Sequence, residues 1–278
     1  MAKRFFNLEK ETKEYLKACE ARNITPFASL KTVNDFCIVQ KNFNWSMTPI
    51  QLIEYSFLPN IWLDSSIPSS YPSVSRNWIN LGNRNSNVTL PTTVLYNNSY
   101  NGSLFLNNSQ SAAVAWNNNG ITSDFTIDSW VTFLSGAGVN TSMMFTNDAY
   151  LTRGFRSGLT VSSRRYFFWN SESLPPGTPN SFGLNTPVNS ITYGVPINLT
   201  LTFNTTTSSA SVFLNGIISV SATGRTYIPP INSSLGFNAN LNNTNHPILL
   251  HNLKVYNKAL TQSQINTTYN LLKGRFVL

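Results

Sequence analysis

The chain has 278 residues and a formal net charge of +8, yet charged side chains make up only 11% of it, against roughly 25% in an ordinary soluble protein. Two cysteines exclude a disulfide-built scaffold, and no apolar run approaches the ~18 residues of a membrane span. The cations are spread thinly rather than gathered on one face with interleaved aromatics, which argues against a nucleic-acid binder.

Residues 1–25 alternate charged and apolar groups and lack the continuous apolar stretch of a secretory signal. Leu8, Thr12, Tyr15, Leu16 and Cys19 recur at helical spacing, and Glu9 stands four residues before Lys13 in the favourable order. Thr25-Pro26 opens a second helix with a cap followed by proline at the first helical position. Thr48-Pro49-Ile50-Gln51 repeats the device and adds a capping-box glutamine. Residues 1–56 thus predict two helices and a short third, too little core to stand alone. They are expected to pack on the next domain or on a partner. Cys19 and Cys37 both fall here and read as two buried thiols.

From residue 57 the pattern becomes that of strands. In Phe125–Phe133 the residues Phe125, Ile127 and Val131 share one face by alternation, and Ile197–Phe203 alternates cleanly. SVFLNGIISV reads as a hairpin about Asn215-Gly216, because a type I′ turn needs positive φ at both central residues. LPPGTPNSFG, residues 174–183, is a loop. The chain closes with LKVYNKALTQSQINTTYNLL. Leu253 and Val255 lie on a strand, Thr261 and Gln264 have capping-box spacing, and Ile265, Tyr269 and Leu272 form one helical stripe. The expectation is a mainly β sandwich over 57–278 with a small N-terminal helical segment and a short C-terminal helix laid across a sandwich edge or its back face.

Six motifs in order carry a resemblance: IWLDSS at 61–66, NWINLGNRNSNVTL at 77–90, NGSLFLNNSQSAAV at 101–114, then FTIDSWVTF, SVFLNGIISV and LKVYNKALTQSQI. Together they resemble the concanavalin A-like, laminin-G-type jelly-roll domains, particularly those of bacteriophage virion proteins. Residues 11–45 look like the two-helix leader that precedes such domains in phage structural proteins. The chain departs from the family where Asn107, Asn108, Ser109 and Asn80 stand at places that often hold aspartate, and where a strand begins Val195-Pro196 instead of with tryptophan. These departures remove carboxylates and put a calcium site in doubt.

Hydrolases of this architecture need two carboxylates flanking the scissile bond. The close pair here is Asp124 with Asp128, which would share a strand face; a structural role is the favoured reading. Asp148 is the remaining calcium candidate, with turn capping the favoured alternative. His246 and His251, in a loop and at a strand start, have no cysteine or acidic companions for zinc. No cofactor is expected. Sugar recognition uses aromatic faces with neutral amides and hydroxyls, which selects Trp116, Asn147, Asp148, Tyr150, Arg153, Trp169 and Asn170 as glycan-binding candidates.

The resemblance implies a non-enzymatic virion protein, a capsid- or tail-associated spike, fibre or decoration component. Its N-terminal helices would hold other virion proteins or sister chains in a homo-oligomer, and its jelly roll would contact host-surface glycans or capsid. A glycan-degrading hydrolase and an architectural capsid protein without ligand are the alternatives.

Overall fold

The computed structural model describes residues 10–21, 59–67, 70–71, 76–82, 87–92, 94–106, 112–114, 123–135, 141–146, 154–170, 183–227, 229, 235–237 and 246–276. A helix, α1, spans Lys10–Ala21. It buries Thr12 and Cys19 and pairs Lys10 with Glu14 on its exposed side at 3.7 Å. The second and third predicted helices, and Cys37, lie outside the described residues.

Sixteen strands follow among the described residues: β1 Ile61–Asp64, β2 Asn77–Trp78, β3 Val88–Thr89, β4 Leu95–Asn97, β5 Ser103–Leu106, β6 Ala112–Val114, β7 Phe125–Phe133, β8 Thr141–Thr146, β9 Phe155–Thr160, β10 Arg165–Asn170, β11 Gly183–Asn185, β12 Pro196–Asn204, β13 Ser209–Leu214, β14 Ile217–Ala222, β15 Leu235–Phe237 and β16 Ile248–Tyr256. All pairings are antiparallel. The larger sheet runs β14-β13-β12-β7-β16-β5-β4, with β1 also pairing β16; the second runs β11-β10-β9-β8-β15-β6; β2 and β3 form a small ribbon. The chain is a mainly β sandwich, as its alternation predicts.

The core lies between the two large sheets. Phe125, Ile127, Val131 and Phe133 of β7 enter it with Leu199, Leu201 and Phe203 of β12 and with Phe155, Tyr166 and Phe168 of the second sheet. Phe125 stacks on Phe155 at 5.3 Å and on Phe203 at 6.0 Å between ring centroids. Aromatic burial on this scale dominates the stability of such a core.

Alternation predicts a strand buried on one face, but all nine residues of β7 and all nine of β16 are buried. The other face of the large sheet is covered by the chain's end. Helix α2, Gln262–Leu272, starts with the predicted capping box: Thr261 accepts from the Gln264 amide and the Gln264 side chain accepts from the Thr261 amide. Trp130, on the back of β7, stacks on Tyr269 at 5.6 Å and on Phe276 at 4.1 Å. Ile265 packs with Phe213, Tyr256 and Leu260. Of the two predicted places for this helix, it occupies the back face. Fully burying Ile265, Leu272 or Phe276 there contributes about 1.5–3 kcal/mol each.

The β13–β14 hairpin turns at Asn215 (φ 52°) and Gly216 (φ 77°), the positive pair that the Asn-Gly dipeptide predicts. Gln262 Nε2 donates to Gly216 O at 2.6 Å and ties the start of α2 to this turn.

Candidate functional site

Asp128 lies on the back of β7 and is fully buried. Its Oδ1 accepts from Asn198 Nδ2 and Thr200 Oγ1, both at 2.8 Å, and its Oδ2 lies 3.7 Å from Lys254 Nζ, also fully buried. Asp124 precedes β7 and receives the Thr205 amide and hydroxyl. One carboxylate is sealed against a lysine and the other caps a turn of the neighbouring strand's loop. The two carboxylates thus bind different partners, Asp128 with Asn198, Thr200 and Lys254 and Asp124 with Thr205.

Asp64 of β1 is buried with Arg275, whose Nη1 donates to Asp64 Oδ1 at 3.0 Å. Arg275 also donates to the carbonyls of Tyr100 and Gly102. Burial lowers the pKa of Arg275 and of Lys254, while the adjacent carboxylate of each opposes the shift. His251 corrects a sequence expectation: it sits inside β16 and not at a strand start. It is fully buried, 3.0 Å from Thr132 Oγ1 and edge-on to the Tyr100 and Phe276 rings. Burial, reinforced by the Arg275 charge, holds its pKa well below the usual histidine value. Among the described residues no three His, Cys, Asp or Glu side chains gather to hold a metal.

Asn80, at a place where aspartate was the family expectation, is a junction of backbone contacts. Its Oδ1 accepts from the amides of Trp62 and Gly82, and its Nδ2 donates to Asn60 O. A carboxylate could make the first two bonds but not the third.

Of the predicted glycan-binding residues, Trp116, Asn147, Asp148, Tyr150 and Arg153 lie outside the described residues. Trp169 and Asn170 end β10 in the second sheet. Alternation along Arg165–Asn170 sends Tyr166 and Phe168 into the core and Arg165, Phe167 and Trp169 to the outer face. The register then sets the neighbours of Trp169: Arg156 of β9 on one side and Gly183 of β11 on the other. Directly opposed residues share a face, so Arg156 and Trp169 stand side by side. Both are partly exposed.

Gly183 shapes this surface. A Cβ there would come within 3.0 Å of Trp169 Cδ1 and 3.1 Å of Nε1. Only hydrogen at that position lets the indole lie over the β11 backbone. Phe167, fully buried, supports the indole from along the strand, with ring centroids 4.5 Å apart. Opposite Phe167 stand Gly158 and the neutral amide Asn185. The result is a supported aromatic surface beside a guanidinium. Phe167, Gly183, Arg156 and Asn185 escaped prediction as site residues. Alternation in RRYFFWN shows that 165, 167 and 169 share a face, but nothing in the sequence sets the register of β9 and β11 against them.

No protein-family model matches the chain, and no curated protein matches it. Solved structures do. The binding domain of Paraclostridial Mosquitocidal Protein 1 superposes with a TM-score of 0.62 at 18% identity, over 77% of this chain and 52% of that one. The receptor-binding domain of botulinum neurotoxin D gives 0.61 at 13% identity, over 77% and 53%. The botulinum neurotoxin serotype D ligand-binding domain in complex with N-acetylneuraminic acid gives 0.62 at 14% identity, over 79% and 52%. The chain therefore spans about half the length of these structures. At such identities the likeness is one of fold, and it shows the β-sandwich of these binding domains in this chain.

Proposed function

We propose that the chain is a non-enzymatic surface-binding protein of a bacteriophage particle, a spike, fibre or decoration component whose sandwich contacts glycans of the host surface. The observation that carries the binding reading is the outer face of the second sheet. There the partly exposed indole of Trp169 lies over Gly183, backed by Phe167 and flanked by Arg156. Such a surface offers a sugar ring an apolar face and hydrogen-bond donors at its edge. The burial of Asp128 against Lys254, and of Asp64 against Arg275, supports binding without hydrolysis.

Binding domains of the same fold include one solved with N-acetylneuraminic acid, which lends further support to a saccharide ligand. The virion context, the attachment of residues 1–56 to other virion proteins and assembly as a homo-oligomer rest on the order of the six motifs and on the helical leader. Two measurements test the reading. A glycan array probed with the purified chain should give hits that Trp169→Ala removes, and mass spectrometry of purified particles should find the chain in them. An array without Trp169-dependent hits defeats the binding reading. Particles free of the chain defeat the virion reading.

A further inference from the structure

The exposed apolar side chains of the sandwich gather at one end of it. Among the described residues the large apolar side chains that are exposed are Leu95, Val188, Val195, Ile217 and Ile218, from 41% at Val195 to 70% at Ile217. Strand register places each of them. Leu95 of β4 shares a row with Phe105, Leu249 and Thr132, next to the end of β7 at Phe133. Val195 leads into β12, whose Pro196 stands opposite Thr132, and the neighbouring Gly194 amide donates to Phe133 O at 2.7 Å. Ile217 and Ile218 follow the Asn215-Gly216 turn, where the Asn215 amide donates to Asn198 O near the start of β12. Val188 lies in the link from β11 to β12, next to Asn189, whose amide donates to Ser163 O in the turn between β9 and β10. This link crosses from one sheet to the other over the Phe133 end of the core, with Ile191 fully buried in it and Tyr193 Oη donating to Val161 O.

The charges are sorted along the same axis. Asp64 and Asp128 are buried beside Arg275 and Lys254. Asp124 precedes β7 at its other end and is bound to Thr205. Asp148 and Glu172 follow β8 and β10 in the sequence. Both strands finish at the Phe125 end, where Thr146 opposes Arg156, Asn170 opposes Phe155, and Phe155 stacks on Phe125. Among the described residues, therefore, no carboxylate of the sandwich is exposed at the Phe133 end. Arg164 is exposed there, in the turn between β9 and β10. Its Nε and Nη2 both donate to Asn189 Oδ1, at 3.0 and 2.8 Å, which holds the guanidinium beside Val188. The Phe125 end is polar instead: the turn between β12 and β13 is Thr205-Thr206-Thr207-Ser208, and Lys258 lies exposed close to Thr126.

We propose that the Phe133 end is a membrane-contacting surface, and that its partner is a lipid bilayer carrying anionic headgroups. The exposed aliphatic side chains sit on separate turns and strand ends. Those on β14 and β4 are six strand spacings of about 4.8 Å apart, or roughly 29 Å. A protein interface collects its apolar groups in a contiguous centre from which water is excluded. The boundary between headgroups and acyl chains has no fixed shape and takes up such separate tips one by one. Headgroup phosphate oxygens suit the guanidinium of Arg164. The net charge of +8 draws the chain to an anionic surface, and no described sandwich carboxylate is exposed at this end to oppose the contact. The surface is distinct from the glycan face, because Trp169 lies toward the other end of β10, opposite Arg156.

The test floats the full chain with vesicles of phosphatidylcholine alone and of phosphatidylcholine mixed with phosphatidylglycerol. The mixed vesicles should bind the chain, and phosphatidylcholine alone should bind it several-fold more weakly. Ile217→Ser combined with Ile218→Ser should weaken binding about tenfold, since affinity follows the apolar area inserted. Thermal unfolding of that double variant should be unchanged, because both side chains are already exposed. Val195→Ser and Arg164→Gln should each weaken binding several-fold. Lys258→Gln, at the Phe125 end, should leave it unaltered. Vesicle binding that survives the double serine change, or that falls equally in Lys258→Gln, overturns the proposal by showing charge attraction without this surface. A parent chain that floats with neither vesicle overturns it as well. Self-association in sedimentation that the double serine change abolishes would then make this end an interface between copies of the chain.

Discussion

Arg275 and Asp64 are 211 residues apart in the chain and 3.0 Å apart in the fold. Their pair joins the last turn of the described chain to the first strand of the sandwich, and it does so where both side chains are buried. Breaking a buried pair from one side leaves an uncompensated charge, at a cost of about 3–5 kcal/mol. Arg275→Met should therefore lower the unfolding free energy by roughly that amount. Adding Asp64→Asn should recover part of the loss, since it neutralises the stranded charge. Urea unfolding of the single and double variants checks this. A single variant as stable as the parent would show that the pair does not hold the C-terminal segment down.

The histidines predict a pH dependence. His251 is neutral in the fold, with its pKa held well below 6.5, and His246 is lowered by burial. As pH falls below 6.5 the unfolded chain takes up protons that the folded chain refuses, so stability falls. A fully excluded proton gives a slope of about 1.4 kcal/mol per pH unit. The groups facing His251 are Thr132, Tyr100, Phe276, Arg275 and the backbone of Gly102, whose hydrogen bond works against the effect of burial. His251→Gln should flatten the stability curve between pH 6.5 and 5. An unchanged slope would place the proton uptake elsewhere.

Two glycines separate backbone strain from contact. Gly216 and Gly224 both have positive φ, 77° and 67°. A Cβ at Gly224 meets nothing within 4 Å, whereas one at Gly216 comes within 3.0 Å of Tyr269 Cβ on α2. Gly224→Ala should cost about 1–2 kcal/mol, the left-handed penalty alone. Gly216→Ala should cost more, because Tyr269 must also shift from its stack on Trp130. Thermal unfolding of the two variants gives the comparison directly. Equal losses would mean that α2 yields without resistance.

The aromatic surface should be sensitive to its glycine. Gly183→Ala brings a methyl group within 3.0 Å of the Trp169 ring and should displace the indole. Calorimetry with an array-identified glycan should show Trp169→Ala and Gly183→Ala each weakening binding about tenfold, near 1.4 kcal/mol. Circular dichroism should stay unchanged. Full affinity in Gly183→Ala would show that the position of the indole over β11 does not matter.

Much of the sandwich was legible because its signals are local. Alternation in Phe125–Phe133 and Ile197–Phe203 identifies the core faces of β7 and β12, and Asn215-Gly216 identifies a turn by its φ requirement. Thr261 and Gln264 locate the start of α2 because a capping box closes within four residues. Class, inner faces, hairpin and capped closing helix can thus be read from the residues in their order. The cover of α2 on the back of β7, the meetings of Asp128 with Lys254 and of Asp64 with Arg275, and the place of Trp169 between Arg156 and Gly183 exist only once the chain is folded. Those relations depend on strand order and register, which bring together residues far apart in the chain, and no spacing within a single segment encodes them.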